Sequence, residues 1–181
     1  MPPRIKILSS LALFLCLLPH PAPIVRADEP SLYEYILSDL DGKETTLEAY
    51  RGRVLVVELF ATWCPPCRKD LPQVASLQEN YSVDRVTFLA VSADGTTDTA
   101  RRVPGFVKEQ GLKLPVYVGG GIFIDKFGGV DRRGMREVVL PQTYVFDEKG
   151  EISLRLVGEQ KNKTKTLTET LDKLIKKEGA S

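Results

Sequence analysis

Residues 54–72, VLVVELFATWCPPCRKDLP, hold the features that decide the fold. The run at residues 54–60 is apolar and rich in β-branched side chains, which is typical of a buried central strand. Cys64-Pro65-Pro66-Cys67 follows, and a helix is predicted from Arg68 onward. A helix N-terminus favours a thiolate at Cys64 through its unpaired N–H groups and its dipole. With Cys67 as a resolving thiol, the stretch predicts thiol–disulfide exchange.

The composition describes an ordinary protein of one domain with short additions. The chain has 181 residues, and its 25 basic and 24 acidic residues leave a net charge of +1. This length is enough to bury a sizeable core. The balanced charge gives no support for nucleic-acid binding.

The first 27 residues are typical of a secretory signal peptide. Arg4 and Lys6 precede an apolar run at residues 7–18, and Val25 and Ala27 take the −3 and −1 positions of a cleavage site. The apolar run is shorter than the roughly 20 residues that a membrane-spanning helix needs. We therefore predict cleavage after Ala27, with an uncleaved membrane anchor as the alternative.

Cleavage would leave residues 28–181 as a single domain with few side chains that could carry out catalysis or bind a metal. The segment removed holds three of the 25 basic residues and no acid, so the net charge becomes −2. It also holds Cys16 and His20, the only histidine of the chain. Without a histidine, neither a Cys-His catalytic pair nor a Cys2His2 zinc site can form. The chemistry narrows to Cys64 and Cys67, and we expect no metal and no cofactor.

The remaining residues alternate between strand and helix patterns. Hydrophobic pattern and turn residues predict an α/β fold, a central mixed sheet with helices on both faces. The predicted strands are residues 32–37, 45–47, 86–91, 114–118, 143–147 and 152–157, and helices are predicted from near Pro104 and over 164–177. The glycine-rich residues 119–134 predict a flexible loop.

Two separated motifs resemble the thioredoxin superfamily, and more narrowly its secreted TlpA/ResA/CcmG-type branch. They are residues 60–67, FATWCPPC, followed by Pro72, and Leu140-Pro141-Gln142-Thr143 before a strand. The resemblance covers about residues 31–177. It implies a thioredoxin-like fold with an N-terminal β-hairpin and a central insert of one helix and one strand between residues 91 and 119.

The resemblance also implies roles at the matching positions. Cys64 would be the exposed attacking thiolate, Cys67 the more buried resolving thiol, and the two would form a disulfide. Trp63 would shield this disulfide and shape the docking surface, whereas a core tryptophan is the alternative. Pro141 matches the cis-proline of the superfamily, which lets Leu140 offer its backbone to an extended substrate chain.

Two acidic residues are candidates for proton transfer. Glu58 lies in the apolar strand, where burial should raise its pKa and suit it to exchange a proton with Cys67. It matches the buried acid of thioredoxins, although a glutamate at a strand end can also reach solvent. Asp70 matches a helix acid that the ResA-like branch places near the active site, with a solvated surface position as the alternative.

The residues between the cysteines predict the direction of the reaction. Strong oxidants of the superfamily hold a histidine there, whereas Pro65 and Pro66 have no N–H to donate to the Cys64 thiolate. A less stabilised thiolate predicts a reduction potential nearer the roughly −270 mV of thioredoxin than the roughly −120 mV of DsbA. The resemblance then implies a monomeric periplasmic or extracytoplasmic disulfide reductase that a membrane thiol–disulfide donor keeps reduced.

The resemblance also implies a class of client, with one departure from the family pattern. The usual clients are the CxxCH haem site of an apocytochrome c and a cysteine-ligated copper site. Residues 129–139 form a longer segment before Pro141 than the family usually has, and carry Arg132, Arg133 and Arg136. This insert predicts either a changed, acidic client or a solvated loop.

Two other classes of function, a copper-binding module and a thiol peroxidase, are alternatives to disulfide exchange. A copper-binding or metallochaperone module would use Cys64 and Cys67 as soft ligands, but Met135 is the only methionine apart from Met1. A thiol peroxidase of the peroxiredoxin type would carry a Pro-x-x-x-[ST]-x-x-Cys motif, which is absent around Cys64. Copper titration and a peroxide-consumption assay separate both alternatives from disulfide exchange.

Overall fold

The computed structural model describes residues 31–95, 101–127, 134 and 139–178. Within these ranges the chain forms seven strands and four α-helices. The strands are β1 (Leu37–Ser38), β2 (Glu44–Thr45), β3 (Val54–Phe60), β4 (Val86–Ser92), β5 (Val116–Val118), β6 (Gln142–Phe146) and β7 (Ile152–Val157). The helices are α1 (Pro65–Ser76), α2 (Val103–Glu109), α3 (Gly121–Phe127) and α4 (Lys163–Glu178), with short 3-10 turns at Leu32–Glu34, Glu48–Tyr50 and Leu77–Asn80.

The strands form one mixed sheet in the order β2-β1-β5-β4-β3-β6-β7. The central strands β3, β4 and β5 are parallel, whereas the β1/β2 hairpin and the β6/β7 pair are antiparallel. The predicted mixed sheet, the N-terminal hairpin and the insert of α2 and β5 are therefore confirmed. The carboxyl ends of β3 and β4 meet at one edge of the sheet, where loops usually carry function.

Strand β3 lies at the centre, and its alternate residues face two hydrophobic clusters. Leu55, Val57 and Leu59 share one cluster with side chains of α2 and α3. Val54 and Val56 share the other with Val74 of α1 and with Leu167 and Leu171 of α4. Because side chains alternate along a strand, Glu58 lies on the same face as Val54 and Val56, under α4.

The prediction of a strand over residues 32–37 was wrong for most of its length. Leu32–Glu34 is a 3-10 turn, and β1 keeps only Leu37 and Ser38. Leu32 and Tyr33 are neighbours in the sequence, and both are buried. In a strand with one face in solvent, neighbouring side chains point to opposite faces, so one of the two would be exposed. Local hydrogen bonds also favour the turn, since the Glu34 N–H donates to the Ser31 carbonyl at 3.0 Å and the Ser31 N–H to Glu34 Oε2 at 3.1 Å.

The prediction of a flexible loop over residues 119–134 was wrong at its start. Gly121–Phe127 is helix α3, which buries Phe123 and Ile124 in the core. Gly120 allows this packing, because a Cβ there would lie 2.9 Å from the Ser92 carbonyl oxygen, which accepts the Gly120 N–H at 2.8 Å. Burial of two large side chains thus overrides a glycine-rich sequence. Of the residues that follow, the structure describes only Gly134 before residue 139.

Candidate active site

The cysteine pair caps the first turn of α1. Cys64 is the N-cap residue, and Pro65 takes the first helical position, where its missing N–H costs the helix no hydrogen bond. The helix thus starts three residues before the predicted Arg68 and continues through Pro72. The two sulfurs are bonded at 2.10 Å, and the Cys67 N–H donates to Cys64 Sγ at 3.3 Å. The predicted disulfide is confirmed.

The exposure of the two cysteines corrects one expectation. Cys67 is fully buried, as predicted, but Cys64 is only 4 % exposed and is not the open sulfur that the resemblance implied. Cys64 packs in the core cluster that also contains Cys67 and Leu140. Trp63 is 61 % exposed, so it is not a core tryptophan. Trp63 and the exposed Pro65 contribute accessible apolar surface at this site.

The second motif contains the cis-proline that the resemblance implied. The Leu140–Pro141 peptide bond is cis, and both residues are buried just before β6. The Pro141 carbonyl accepts the Gly158 N–H at 2.8 Å, which ties this turn to the end of β7. Leu140 packs in the same cluster as Cys64 and Cys67. The fold therefore brings together two motifs that lie more than 70 residues apart in the sequence.

A buried aspartate that the sequence reasoning missed holds the loop before the cysteines. Asp94 follows β4 and accepts hydrogen bonds from the Thr62 N–H and the Thr62 hydroxyl, both at 2.9 Å. The Ser92 hydroxyl donates a third, at 2.6 Å. Because β3 and β4 are parallel, Thr62 and Asp94 emerge at the same edge of the sheet. The sequence contains a pattern that could have predicted this contact, because a polar residue follows each of two adjacent parallel strands.

Glu58 is a buried carboxyl group, as predicted. It is 1 % exposed, and its neighbour across the sheet on β6 is Thr143, whose hydroxyl donates to Glu58 Oε2 at 2.6 Å. Burial raises the pKa of Glu58, against the lowering effects of the Lys163 ammonium and the Thr143 hydrogen bond, while the Asp70 carboxylate adds to the increase. The strand end is therefore not open to solvent at this side chain.

Asp70 is also buried, and it shares a cation with Glu58. Lys163 Nζ lies 2.9 Å from Glu58 Oε1 and 3.0 Å from Asp70 Oδ2. The solvated surface alternative for Asp70 is thus excluded. The sequence reasoning missed Lys163, although Lys163, Leu167 and Leu171 recur every four residues on α4. That spacing places the lysine on the buried face of its helix.

A groove of about 370 Å³ lies next to Trp63. It is lined by Thr62, Trp63, Arg68, Arg102, Gly105, Phe106 and Glu109. Arg68 crosses it, since its guanidinium lies 5.0 Å from the Phe106 ring centre and 2.9 Å from Glu109 Oε1. The helix of the central insert, α2, therefore forms one wall of the groove beside Trp63.

Some predictions concern parts of the chain that the structure does not describe. The signal segment at residues 1–27 and the arginines of the insert, Arg132, Arg133 and Arg136, lie outside the described residues. In the described part of the chain, no helix is long and apolar enough to cross a membrane. Over the same residues, no group of three or more His, Cys, Asp or Glu side chains is placed to hold a metal ion.

A bonded cysteine pair that caps a helix at the carboxyl edge of a mixed sheet defines the class of this protein. It has a thioredoxin-like fold and carries a dithiol–disulfide couple. The chain matches the Redoxin family over residues 21–174.

Sequence relatives and a solved structure agree with this class. Thiol-disulfide oxidoreductase ResA of Bacillus thuringiensis is 34% identical over 126 residues, which cover 70% of this chain and 67% of that protein. ResA of Halalkalibacterium halodurans is 30% identical over 156 residues, covering 86% and 81%. A thiol:disulfide interchange protein of the thioredoxin family from Chlorobium tepidum has a TM-score of 0.60 at 25% identity, over 82% of this chain and 99% of that one. The chain belongs to the Redoxin family, and it is an oxidoreductase that acts on disulfides.

We expect Trp63→Ala to weaken substrate binding without weakening the fold. Trp63 is 61 % exposed, so its loss should change the free energy of unfolding by no more than about 0.5 kcal/mol. Exposed aromatic residues are enriched at binding surfaces, so we expect the loss of this ring beside the cysteine pair to raise KM for a protein disulfide. Urea denaturation and steady-state kinetics check both expectations.

Val83→Ala is the matched control for this prediction. Val83 is also an exposed apolar side chain, but it precedes β4 and so lies at the opposite edge of the sheet from the cysteines. It should change neither quantity. Equal kinetic effects from the two substitutions would contradict a docking role for Trp63.

Proposed function

We propose that this protein is an extracytoplasmic disulfide reductase that donates electrons to disulfides of protein clients. The observation that carries the proposal is the proline pair between the cysteines. Neither Pro65 nor Pro66 has an N–H. Among the described residues, the hydrogen-bond donor to Cys64 Sγ is the Cys67 N–H, at 3.3 Å. Few hydrogen bonds to the thiolate leave the reduced form less stabilised, which lowers the reduction potential.

The proposed reaction transfers two electrons from the cysteine pair to the client. The Cys64 thiolate attacks one sulfur of the client disulfide, so a Cys64–client bond forms and the other client sulfur leaves as a thiolate. Cys67 then gives its proton to a base and attacks the Cys64 sulfur. The Cys64–Cys67 bond forms, the second client sulfur leaves as a thiolate, and the client has been reduced while the enzyme has been oxidised.

Glu58 is the base that we propose for the second step. It lies on β3 under α4, and Lys163 joins it to Asp70, which shares a buried face of α1 with Cys67 because the two are three residues apart. The raised pKa of Glu58 suits a carboxylate that must take up and release a proton. Asp70 acts with it by sharing the same cation.

The client is proposed to bind across the two motifs. An extended segment would pair with the backbone of Leu140 beside Pro141, and Trp63, Pro65 and Pro66 would form the apolar surface next to the reactive sulfur. Pro65 and Trp63 are both exposed, and the groove next to Trp63 offers room for a side chain of the client. This arrangement supports a protein substrate rather than a small thiol.

The N-terminal segment and the relatives support a proposal for the cellular setting. We propose that residues 1–27 direct the chain out of the cytoplasm, where it works as a monomer and a membrane thiol–disulfide donor keeps it reduced. The similarity to proteins named ResA supports this branch of the family. On that basis we propose an apocytochrome c or a copper-site protein as the client.

The equilibrium reduction potential of Cys64 and Cys67 tests the proposal. Titration of the purified protein against defined dithiol buffers should give a value below about −220 mV, as expected for a reductant. A value near −120 mV would identify a disulfide-forming oxidase instead. The variant Pro66→His restores an N–H and adds a group that can carry positive charge, so it should raise the potential if the prolines are the cause.

A further inference from the structure

Gln142 carries a fully buried amide group that is hydrogen-bonded at both ends. It is 0% exposed and follows Pro141 directly, at the first position of β6. Its Nε2 donates to the Val139 carbonyl at 2.9 Å, and its Oε1 accepts from the Tyr144 hydroxyl at 2.6 Å and from Arg155 Nη2 at 3.3 Å. Because burial of an amide is costly without such partners, these contacts hold the side chain in one place.

Arg155 decides which end of this amide faces the turn before β6. A guanidinium only donates hydrogen bonds, so the amide atom that lies beside it must be the oxygen. The nitrogen is then directed to the Val139 carbonyl, which only accepts. A glutamine therefore fits this position, whereas an ionised glutamate would place a second acceptor against the Val139 carbonyl.

The bond from Gln142 to Val139 closes the turn that contains the cis peptide bond. These two residues lie on either side of Leu140–Pro141. The backbone of Gln142 is itself held in the sheet, where it pairs with Leu59 of β3 and with Val157 of β7. The side-chain amide therefore fastens the start of the turn to the central sheet.

The backbone of Leu140 lies inside this closed turn. In the part of the chain that the structure describes, no hydrogen bond joins the N–H or the carbonyl of Leu140 to another residue. The neighbouring Pro141 carbonyl, by contrast, accepts the Gly158 N–H at 2.8 Å. Leu140 shares a core cluster with Cys64 and Cys67, so its two backbone groups are placed to serve a client segment that reaches the cysteine pair.

We propose that Gln142 is a positioning residue for client binding, whose amide holds the turn at residues 139–141 so that the Leu140 backbone can pair with an extended client segment. This inference rests on the proposed binding of the client at Leu140. In this role Gln142 need not touch the client. It acts by ordering the turn in advance, so that less conformational freedom is lost when the client binds.

Gln142→Glu should slow the reaction with peptide disulfides selectively. Above neutral pH the Arg155 guanidinium favours an ionised carboxylate, which still accepts from Tyr144 and Arg155 but has no hydrogen to donate to Val139. With a linear peptide whose cysteine is in a disulfide with glutathione, oxidation of the reduced protein should slow about fivefold, as expected for the loss of one hydrogen bond. With hydroxyethyl disulfide, which has no peptide group, the rate should not change. The fluorescence of Trp63, the only tryptophan of the chain, follows both reactions.

Methylated peptides show whether backbone pairing is the property that Gln142 supports. Methylation of the backbone nitrogen at or next to the peptide cysteine, one position at a time, removes an N–H without changing a side chain. At the position that pairs with Leu140, the wild type should react about fivefold more slowly with the methylated peptide. Gln142→Glu, which has already lost this pairing, should react with both peptides at similar rates.

Gln160→Glu is the matched control. Gln160 makes the same kind of contact as Gln142, since its Nε2 donates at 2.9 Å to the carbonyl of Val157, three residues earlier, but it lies at the surface. Its substitution should leave all these rates unchanged. If Gln142→Glu does not fold, Gln142→Met carries the test, because it removes the amide without adding a charge. Urea denaturation shows whether each variant is folded.

The outcomes separate this inference from the proposed function. A wild type that reacts equally with methylated and unmethylated peptides would overturn the proposed client binding at Leu140, and this inference with it. A wild type that discriminates between them, with Gln142 variants that discriminate to the same extent, would overturn only the role of Gln142. Equal losses of rate with the peptide and with hydroxyethyl disulfide, together with lower stability, would show a purely structural residue and would also overturn that role.

Discussion

Cys64→Ser will abolish disulfide reduction, whereas Cys67→Ser will stop the reaction halfway with the client still attached. Loss of the attacking sulfur should lower turnover at least about a thousandfold, as loss of a covalent nucleophile does elsewhere. Cys67→Ser keeps the nucleophile but lacks the thiol that resolves the mixed disulfide. It should form a stable adduct with a protein disulfide, visible as a mass increase that a reducing agent removes.

The burial of the cysteines makes this pair of variants informative. Cys64 is 4 % exposed and Cys67 is fully buried, so the roles rest on a small difference in access together with the N-cap position of Cys64. A trapped client on Cys64→Ser, with none on Cys67→Ser, would reverse the assignment. The double variant, which has no thiol at either position, is the control for adducts formed elsewhere in the chain.

Asp94→Ala will lower the free energy of unfolding by about 3 kcal/mol, because hydrogen bonds to a charged group contribute about 1.5–3 kcal/mol each and their buried donors lose their partner. Asp94 is 3% exposed and accepts from two groups of Thr62 and from Ser92. Thr62 directly precedes Trp63 and Cys64, so the rate of disulfide exchange should fall as well. Urea denaturation and exchange kinetics measure the two effects.

Asp39→Ala is the matched control for this prediction. Asp39 also accepts two backbone N–H groups, from Asp41 at 3.0 Å and from Lys43 at 2.9 Å, but these bonds lie at the surface. Water can replace the carboxylate there, so the loss should be about 1 kcal/mol or less. Equal losses of stability in the two variants would show that burial of Asp94 is not what makes its hydrogen bonds important.

Pattern and local chemistry were enough to predict most of the sheet. The run at residues 54–60 is apolar except for Glu58, and such a strand is stable only at the centre of a sheet covered on both faces. The predicted strands at residues 143–147 and 152–157 form the antiparallel β6/β7 pair of the structure. Errors arose where packing outweighed local preference, as in α3, where buried Phe123 and Ile124 hold a helix within a glycine-rich segment.

The residues of the active site also fall into two groups, those that the sequence predicts and those that only the structure reveals. The sequence by itself determined the cysteine pair, the exposed tryptophan beside it, the proline before β6 and the buried glutamate, because each depends on neighbouring residues or on a motif. Only the tertiary structure decided that Asp94 anchors the loop before Cys64 and that Lys163 joins Glu58 to Asp70. These contacts span 32, 105 and 93 residues, and their energies depend on burial and on distances of about 3 Å that no local pattern encodes.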